Sequence, residues 1–425
     1  MPASLISVDG DEVTLEIKFK LTSSMLETEE NILTALNEAG CLGTGKALER
    51  FDTDGDRIEF GGVKWSSKGK LPKTYQTPYG TAAVSRHVYQ RAEGGATFCP
   101  LEREARIVVT STPRFAKIVS HKYANGASPT VRRDLLENHG RDCPRSFLQD
   151  LAEAVGSIAQ AKEENWQYET PELDKPVSTV SIGTDGTCML LCEGGYRETM
   201  TGTLTLYDRE GERQHTIYIG ASPEYGKATF YERMEREISH LKILYPDATY
   251  VGIADGAKCN WDFLEPHTTV QILDFYHAAE YITQASVAAY PRNETQRQQW
   301  IETHCHDLKH KQGAASRLLK ELEELRDTKL SKLAREDLEQ AITYFRNHKH
   351  QMNYARYRAQ NYPIGSGVTE AACKTLVKQR LCCSGMKWVE RGARIVLSLR
   401  ALVLTNERWS QFWSKINQNG FAIPA

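Results

Sequence analysis

The sequence predicts a mixed α/β protein built on a five-stranded sheet and interrupted by a long helical stretch. Three observations carry this expectation. First, residues 178–222 hold three consecutive β-type runs, STVSIGTD, ETMTGTLTLYD and QHTIYIGAS, spaced as hairpins. Second, a helical pattern over Lys227–Tyr245 leads into two more apolar β-type runs, TYVGIAD and VQILDFY. Third, from about Ala278 to Arg358 the strands stop and apolar residues recur at helical spacing.

A chain of 425 residues is long for one domain. The first 110 residues read as a small α+β unit. Leu5–Val8 and Val13–Leu21 flank the turn Asp9-Gly10-Asp11, and Ser23 or Ser24 then caps a helix through about Leu48. Residues 111–162 carry three helical patterns: Ala116–Ala124, TVRRDLLENHG behind an N-cap Ser128 and Pro129, and RSFLQDLAEAVGSIAQ. The tight glycine turn among them predicts a helix-turn-helix. Glu163–Lys175 reads as a linker. The sheet core is assigned to 176–277 and 360–425, and the helical insertion to 278–359. In the insertion Leu318, Leu322, Leu325, Leu338, Ile342 and Phe345 form an apolar stripe, expected to be core or a dimer surface.

Three hairpin-linked strands, a helix and two further strands is the ribonuclease H-like order. A right-handed crossover then sets strand one beside strand four. Asp185 and Asp255, each followed by glycine, would come from neighbouring strand ends.

Composition is that of an ordinary soluble protein, with 40% hydrophobic and 25% charged residues. The net charge of −2 hides an asymmetry: from Ala371 onward there are nine Lys/Arg against two Glu. Near-neutrality therefore does not exclude nucleic acid, because binding follows where basic residues cluster. Ten cysteines without a CxxC pair, and no secretory leader pattern, argue for reduced thiols in a cytosol. The longest apolar run, IVLSLRALVL, is broken by Arg400 and too short for a bilayer. A cytoplasmic location, with nucleoid association, is expected.

The candidate chemistry lies in Asp185, Asp255 and Glu370. Either Asp–Gly alone reads as a plain turn, and a glutamate in a first helical turn is favoured by the helix dipole. Their joint placement is the argument: two acids at equivalent strand ends, and Glu370 on a helix whose small Ala371 and Ala372 permit close packing. Three such charges repel unless cations neutralise them. Oxygen-only ligands suit Mg²⁺, with Mn²⁺ as a substitute, and two ions are expected.

The segments IADGAKCNWDFL, ILDFYHAAEYI and YPIGSGVTEAACKTLVKQRLCCSGMKW resemble the catalytic domain of bacterial insertion-sequence transposases of the DDE type. The resemblance is closest to the ISKra-type group, related to the Mutator-like transposases, and spans about 178–405. It implies that Asp185, Asp255 and Glu370 are the catalytic acids and metal ligands. Asp274 and His277 match the D/C-x-x-H motif of Mutator-like enzymes and would support them. Two departures stand out. Only Cys99 remains where relatives carry a cysteine-rich segment, so no zinc site is expected there. Tyr362 precedes Glu370 without the arginine of a Tyr–Arg–Glu–Lys signature.

The resemblance also implies metal-dependent cleavage at element ends and strand transfer into target DNA. Partners would be double-stranded DNA, as terminal repeats and target, and a second copy of the chain in a homodimer or larger assembly; no membrane is expected. For DNA contacts the candidates are Arg132, Arg133, Arg141 and Arg145 on the helix-turn-helix. Lys374, Lys378, Arg380, Lys387, Arg391 and Arg394 lie beyond Glu370, and Trp261 and Trp300 are candidates for base stacking. Two other readings stay open: a structure-selective nuclease that cuts but never joins, and a non-catalytic DNA-binding protein. His304, Cys305, His306 and His310 could bind zinc but fit a solvated helix better.

Overall fold

The computed structural model describes residues 2–163 and 165–421. The chain is mixed α/β and divides into two compact units. One is Met1–Glu169 with the segment from Arg408 onward; the other is Thr170–Glu407.

In the first unit, β1 (Ala3–Asp9) and β2 (Glu12–Ile17) form an antiparallel hairpin around Gly10, whose positive φ suits glycine. Helix α1 (Met25–Glu49) starts at Ser24, whose side chain accepts the Glu27 N–H at 3.3 Å. A four-stranded antiparallel sheet follows, ordered β3-β4-β5-β6: β3 (Ile58–Phe60), β4 (Val63–Gln76), β5 (Thr81–Gln90) and β6 (Thr97–Phe98). Helix α2 (Pro100–Glu104) closes its core, in which Leu48, Tyr75, Val84, Leu101 and Ile107 are buried.

Three helices then pack on one another: α3 (Pro113–Asn125), α4 (Ser128–His139) and α5 (Arg145–Glu163). They match the three expected helical patterns. The N-cap of α4 is Ala127, however, so Ser128 is the first helical residue and its hydroxyl meets Arg145 Nε at 3.4 Å. Gly140 ends α4 in the left-handed conformation.

The second unit is organised by β7 (Thr179–Leu191), β8 (Gly195–Tyr207) and β9 (Arg213–Ala221), then α6 (Ala228–Leu244), β10 (Thr249–Ala254), α7 (Lys258–Leu264) and β11 (Val270–Leu273). The sheet order is β11-β10-β7-β8-β9, with the first hairpins antiparallel and β10 and β11 parallel to β7. Helix α6 covers one face: a Cβ at Gly202 would stand 2.3 Å from Met234 Sδ.

The helical stretch runs through α8 (Phe275–Ala289), α9 (Glu294–His310), α10 (Ala314–Glu324), α11 (Lys332–His348) and α12 (Tyr354–Ala359). Its stripe is core: Leu318, Leu322, Leu338, Ile342 and Phe345 are buried, with Leu325 packed against them. Next come α13 (Gly367–Ala372), a π-helical segment Cys373–Lys378, α14 (Gln379–Leu381) and α15 (Glu390–Leu404). The final helix, α16 (Arg408–Asn419), belongs to the first unit, where Phe412 meets Trp166 edge-on at 5.9 Å. The 360–425 segment is therefore not one piece: it divides at Glu407, which has positive φ. Among the described residues, no helix is long and apolar enough to cross a membrane.

Candidate functional site

The site is built by strand register. β7 and β10 pair at a constant offset, Thr179 with Thr249 through Gly183 with Ile253. β10 and β11 pair Val251 with Val270 through Ala254 with Leu273. Continuing each register brings Asp185, Asp255 and Asp274 level across three adjacent parallel strands; Asp255 and Asp274 lie just past the ends of β10 and β11, but Asp185 is not at a strand end as expected, because β7 stays paired with β8 through Leu191. The Asp274 N–H donates to the Ala254 carbonyl at 2.8 Å, which carries the pairing to that level.

Glu370 arrives on α13, which rests directly on β7. A Cβ at Gly183 would stand 2.1 Å from Thr369 Oγ1, so only glycine admits the helix at this depth. Thr369 and Thr203 hydroxyls meet at 2.7 Å across the same contact. Because side chains alternate along a strand, Asp185 shares the face of Gly183 and points toward α13.

Asp185 and Glu370 line one cleft of about 570 Å³ with Gly186, Thr187, Cys373, Lys374, Lys378 and Gln379. Asp185 Oδ1 accepts the Gly186 N–H at 2.7 Å, and Cys373 Sγ donates to Oδ2 at 3.4 Å. Burial, and secondly the Asp185 charge, push the Cys373 thiol up to about 12. Cys373 is thus a neutral donor to a carboxylate and not a thiolate nucleophile.

The π segment is braced by buried Arg400, which donates to the carbonyls of Leu376 (2.8 Å) and Thr375. Widening the helix there frees carbonyls, and the guanidinium fork satisfies two of them. Burial, then the nearby Arg380 charge, lowers the Arg400 pKa to about 10.

Asp274 is fully buried and caps α8, its Oδ1 accepting the Tyr276 N–H at 2.6 Å. Its Oδ2 accepts the Ser366 N–H at 2.9 Å and the Ser366 hydroxyl. The same hydroxyl lies 2.7 Å from Glu370 Oε1. One hydroxyl hydrogen cannot serve two carboxylates at once. His277 joins them: ligand atoms of Asp274, His277 and Glu370 lie within 4.8 Å of one another.

Asp255 is held differently. Its Oδ1 accepts the Ala257 N–H at 3.0 Å and the Asn260 amide at 3.2 Å, turning the carboxylate toward the start of α7. The helical stretch closes on this turn. Tyr344 donates its hydroxyl to the Asp255 carbonyl at 2.9 Å, and a Cβ at Gly256 would lie 3.3 Å from His348 Nε2. Burial lowers the His348 pKa despite its Gln351 partner and the Asp255 charge, so the ring is held neutral.

The expected trio is therefore brought to one end of the sheet but not into a common ligand sphere. Among the described residues, the one three-ligand group within 4.8 Å is Asp274, His277 and Glu370. Ser366, Thr369, Cys373 and Tyr344 were not anticipated. For Ser366 the signal was present in the Gly365-Ser366-Gly367 approach to Glu370; Tyr344 carried none.

The basic candidates separate into two kinds. Lys374 and Lys378 line the cleft and are exposed, as are Lys387, Arg133 and Arg391. Arg394 is exposed but paired with Glu390 at 2.6 Å. Arg132 is exposed but paired with Asp142 at 2.8 Å, and exposed Arg145 reaches Ser128. Arg141 is instead buried, donating to the Thr77 carbonyl and Gln76 and lying over Phe115. Arg380 is buried against the Trp388 ring. Trp261 is a core residue, and Trp300 is buried with its indole N–H on Glu321. Those four cannot contact DNA as placed.

No protein-family model matches the chain, and no curated protein matches it.

Proposed function

We propose that this chain is a DNA transposase of the DDE type, cutting the ends of a mobile element and joining them to target DNA. The observation that carries the reading is the level row Asp185, Asp255 and Asp274 with Glu370 across it, beside a cleft edged by Lys374 and Lys378. The strand order, with three antiparallel strands followed by two parallel to the first, supports a ribonuclease H-like core.

The donor set fits Mg²⁺ or Mn²⁺. Asp185, Asp255 and Glu370 would supply oxygen ligands, and the crowding of Glu370 and Asp274 around one hydroxyl is what a cation would relieve. Bound there, such ions would activate a hydroxyl nucleophile and stabilise the departing oxygen. The chain's residues prepare the rest. Lys374 and Lys378 would hold the phosphodiester backbone over the acids. Ser366 would orient Glu370 against buried Asp274, and Cys373 would fix one oxygen of Asp185. The helices α3–α5 would recognise the terminal repeats, with Arg133 among the contacting residues.

An assay on labelled DNA ending in the element's flanking repeats tests the reading. Metal-dependent 3′-end cleavage and joined products are expected. Cleavage without joining would instead make the chain a nuclease, and binding without either would make it a non-catalytic DNA-binding protein.

A further inference from the structure

We propose that Tyr344 of α11 is a positioning residue for Asp255, its hydroxyl holding the main chain of that acid. The helical stretch, and not the sheet alone, then sets one ligand of the proposed cation site. The inference rests on the reading of Asp255 as a metal ligand and deepens it.

Asp255 stands one residue past β10, where the ladder stops. The Asp274 N–H takes the Ala254 carbonyl at 2.8 Å. The next carbonyl along, that of Asp255, is taken by the Tyr344 hydroxyl at 2.9 Å. A strand end leaves backbone groups without ladder partners, and each needs another partner or water. Here a side chain of the helical stretch supplies it.

The hydroxyl is itself held in place. The Tyr344 ring stacks on Tyr281 of α8, with centroids 3.8 Å apart and planes 19° from parallel. Its edge meets Gly256, where a Cβ would stand 3.2 Å from Tyr344 Cε2 and the φ of +105° already favours glycine. The turn after the acid is thus shaped to the ring. The carboxylate is tethered more lightly. Both bonds that it accepts among the described residues, from the Ala257 N–H and the Asn260 amide, fall on Oδ1. A cation drawing the side chain toward Asp185 and Glu370 must break them, and the main chain is then the pivot. A pivot fixed by Tyr344 leaves less freedom to be lost on binding.

Two tyrosines further along the stretch do a different job. Tyr354 and Tyr357 donate to the Leu273 and Gln271 carbonyls at 3.0 and 3.4 Å, on the outer side of the edge strand β11. They cover a sheet edge. Tyr344 instead reaches the carbonyl of a proposed catalytic acid itself, which makes Tyr357 a matched comparison: the same hydroxyl, the same stretch, a different carbonyl.

Mn²⁺ titration of the full chain without DNA, read by loss of the free-ion electron paramagnetic resonance signal, tests this. Tyr344→Phe should raise the Mn²⁺ dissociation constant about tenfold, the scale for a group that orients a metal ligand. Asp255→Asn should raise it at least as much. Tyr357→Phe, which frees the Gln271 carbonyl, should leave it unchanged. Metal-dependent DNA cleavage by Tyr344→Phe should fall at low Mn²⁺ and return at saturating Mn²⁺, a split that a merely structural hydroxyl would not produce. Should Tyr344→Phe fail to fold, Tyr281→Leu, which unseats the ring but keeps the hydroxyl, carries the same prediction. An unchanged constant in folded Tyr344→Phe, with Asp255→Asn impaired, overturns the positioning role and leaves the proposed function standing. An equal loss in Tyr357→Phe overturns it too. No Mn²⁺ binding by the wild type, or a normal constant in Asp255→Asn, overturns both this inference and the reading beneath it.

Discussion

Asp185 and Asp255 stand level on neighbouring parallel strands because β7 and β10 pair at a fixed offset, Gly183 opposite Ile253. Their proximity belongs to the sheet, not to local sequence, and the proposed chemistry needs both. Asp185→Asn or Asp255→Asn should lower metal-dependent DNA cleavage by more than about 100-fold, the scale seen when one preorganised charge-stabilising group is lost. End binding in a mobility-shift assay should persist. Full cleavage by either variant would remove that residue from the site.

Gly183 sets how deeply α13 seats. Gly183→Ala places a methyl 2.1 Å from Thr369 Oγ1 and should lift the helix carrying Glu370, costing about 1–3 kcal/mol by overpacking. Denaturant unfolding measures the cost. A neutral result would mean that α13 shifts freely, and would weaken its role as a fixed platform.

Much of this was legible in the sequence, and the exceptions have physical reasons. The five β-type runs and Ser24 as a helix cap could be read because period and capping chemistry are local. The placement of β10 beside β7 followed from the right-handed crossover rule. Arg141, Arg380 and Trp261 are buried because a side chain's neighbours come from distant segments: Arg141 reaches Thr77, and Trp261 joins the core of the second unit. The same holds for Tyr344, 89 residues from the Asp255 carbonyl it meets. The four-residue spacing of Glu370, Lys374 and Lys378 reads as one regular helix, whereas a π segment intervenes; all three still line one cleft.

Arg400 should prove indispensable to that π segment. Arg400→Lys keeps the charge but loses the fork reaching the Thr375 and Leu376 carbonyls, so about 1–3 kcal/mol of stability should go with the abandoned acceptor. Thermal unfolding of the second unit reads this. An unchanged midpoint would show that the widened turn needs no brace.

Lys374 and Lys378 are expected to contact phosphates. In the Lys374→Ala/Lys378→Ala double variant, the slope of log affinity against log salt should flatten by roughly 1–2, about 0.9 for each lost contact. The loss should be similar for every DNA sequence, because backbone contacts carry no base information. An unaltered slope would place the DNA elsewhere.

The most direct measurement is anomalous diffraction from crystals of the full chain grown with Mn²⁺. Density among Asp185, Asp255 and Glu370 is the expected result, with Asp255 turned from the start of α7 toward the ion. Density confined to Asp274 and His277, or none at this end of the sheet, would contradict the assignment of the acids as the catalytic metal site.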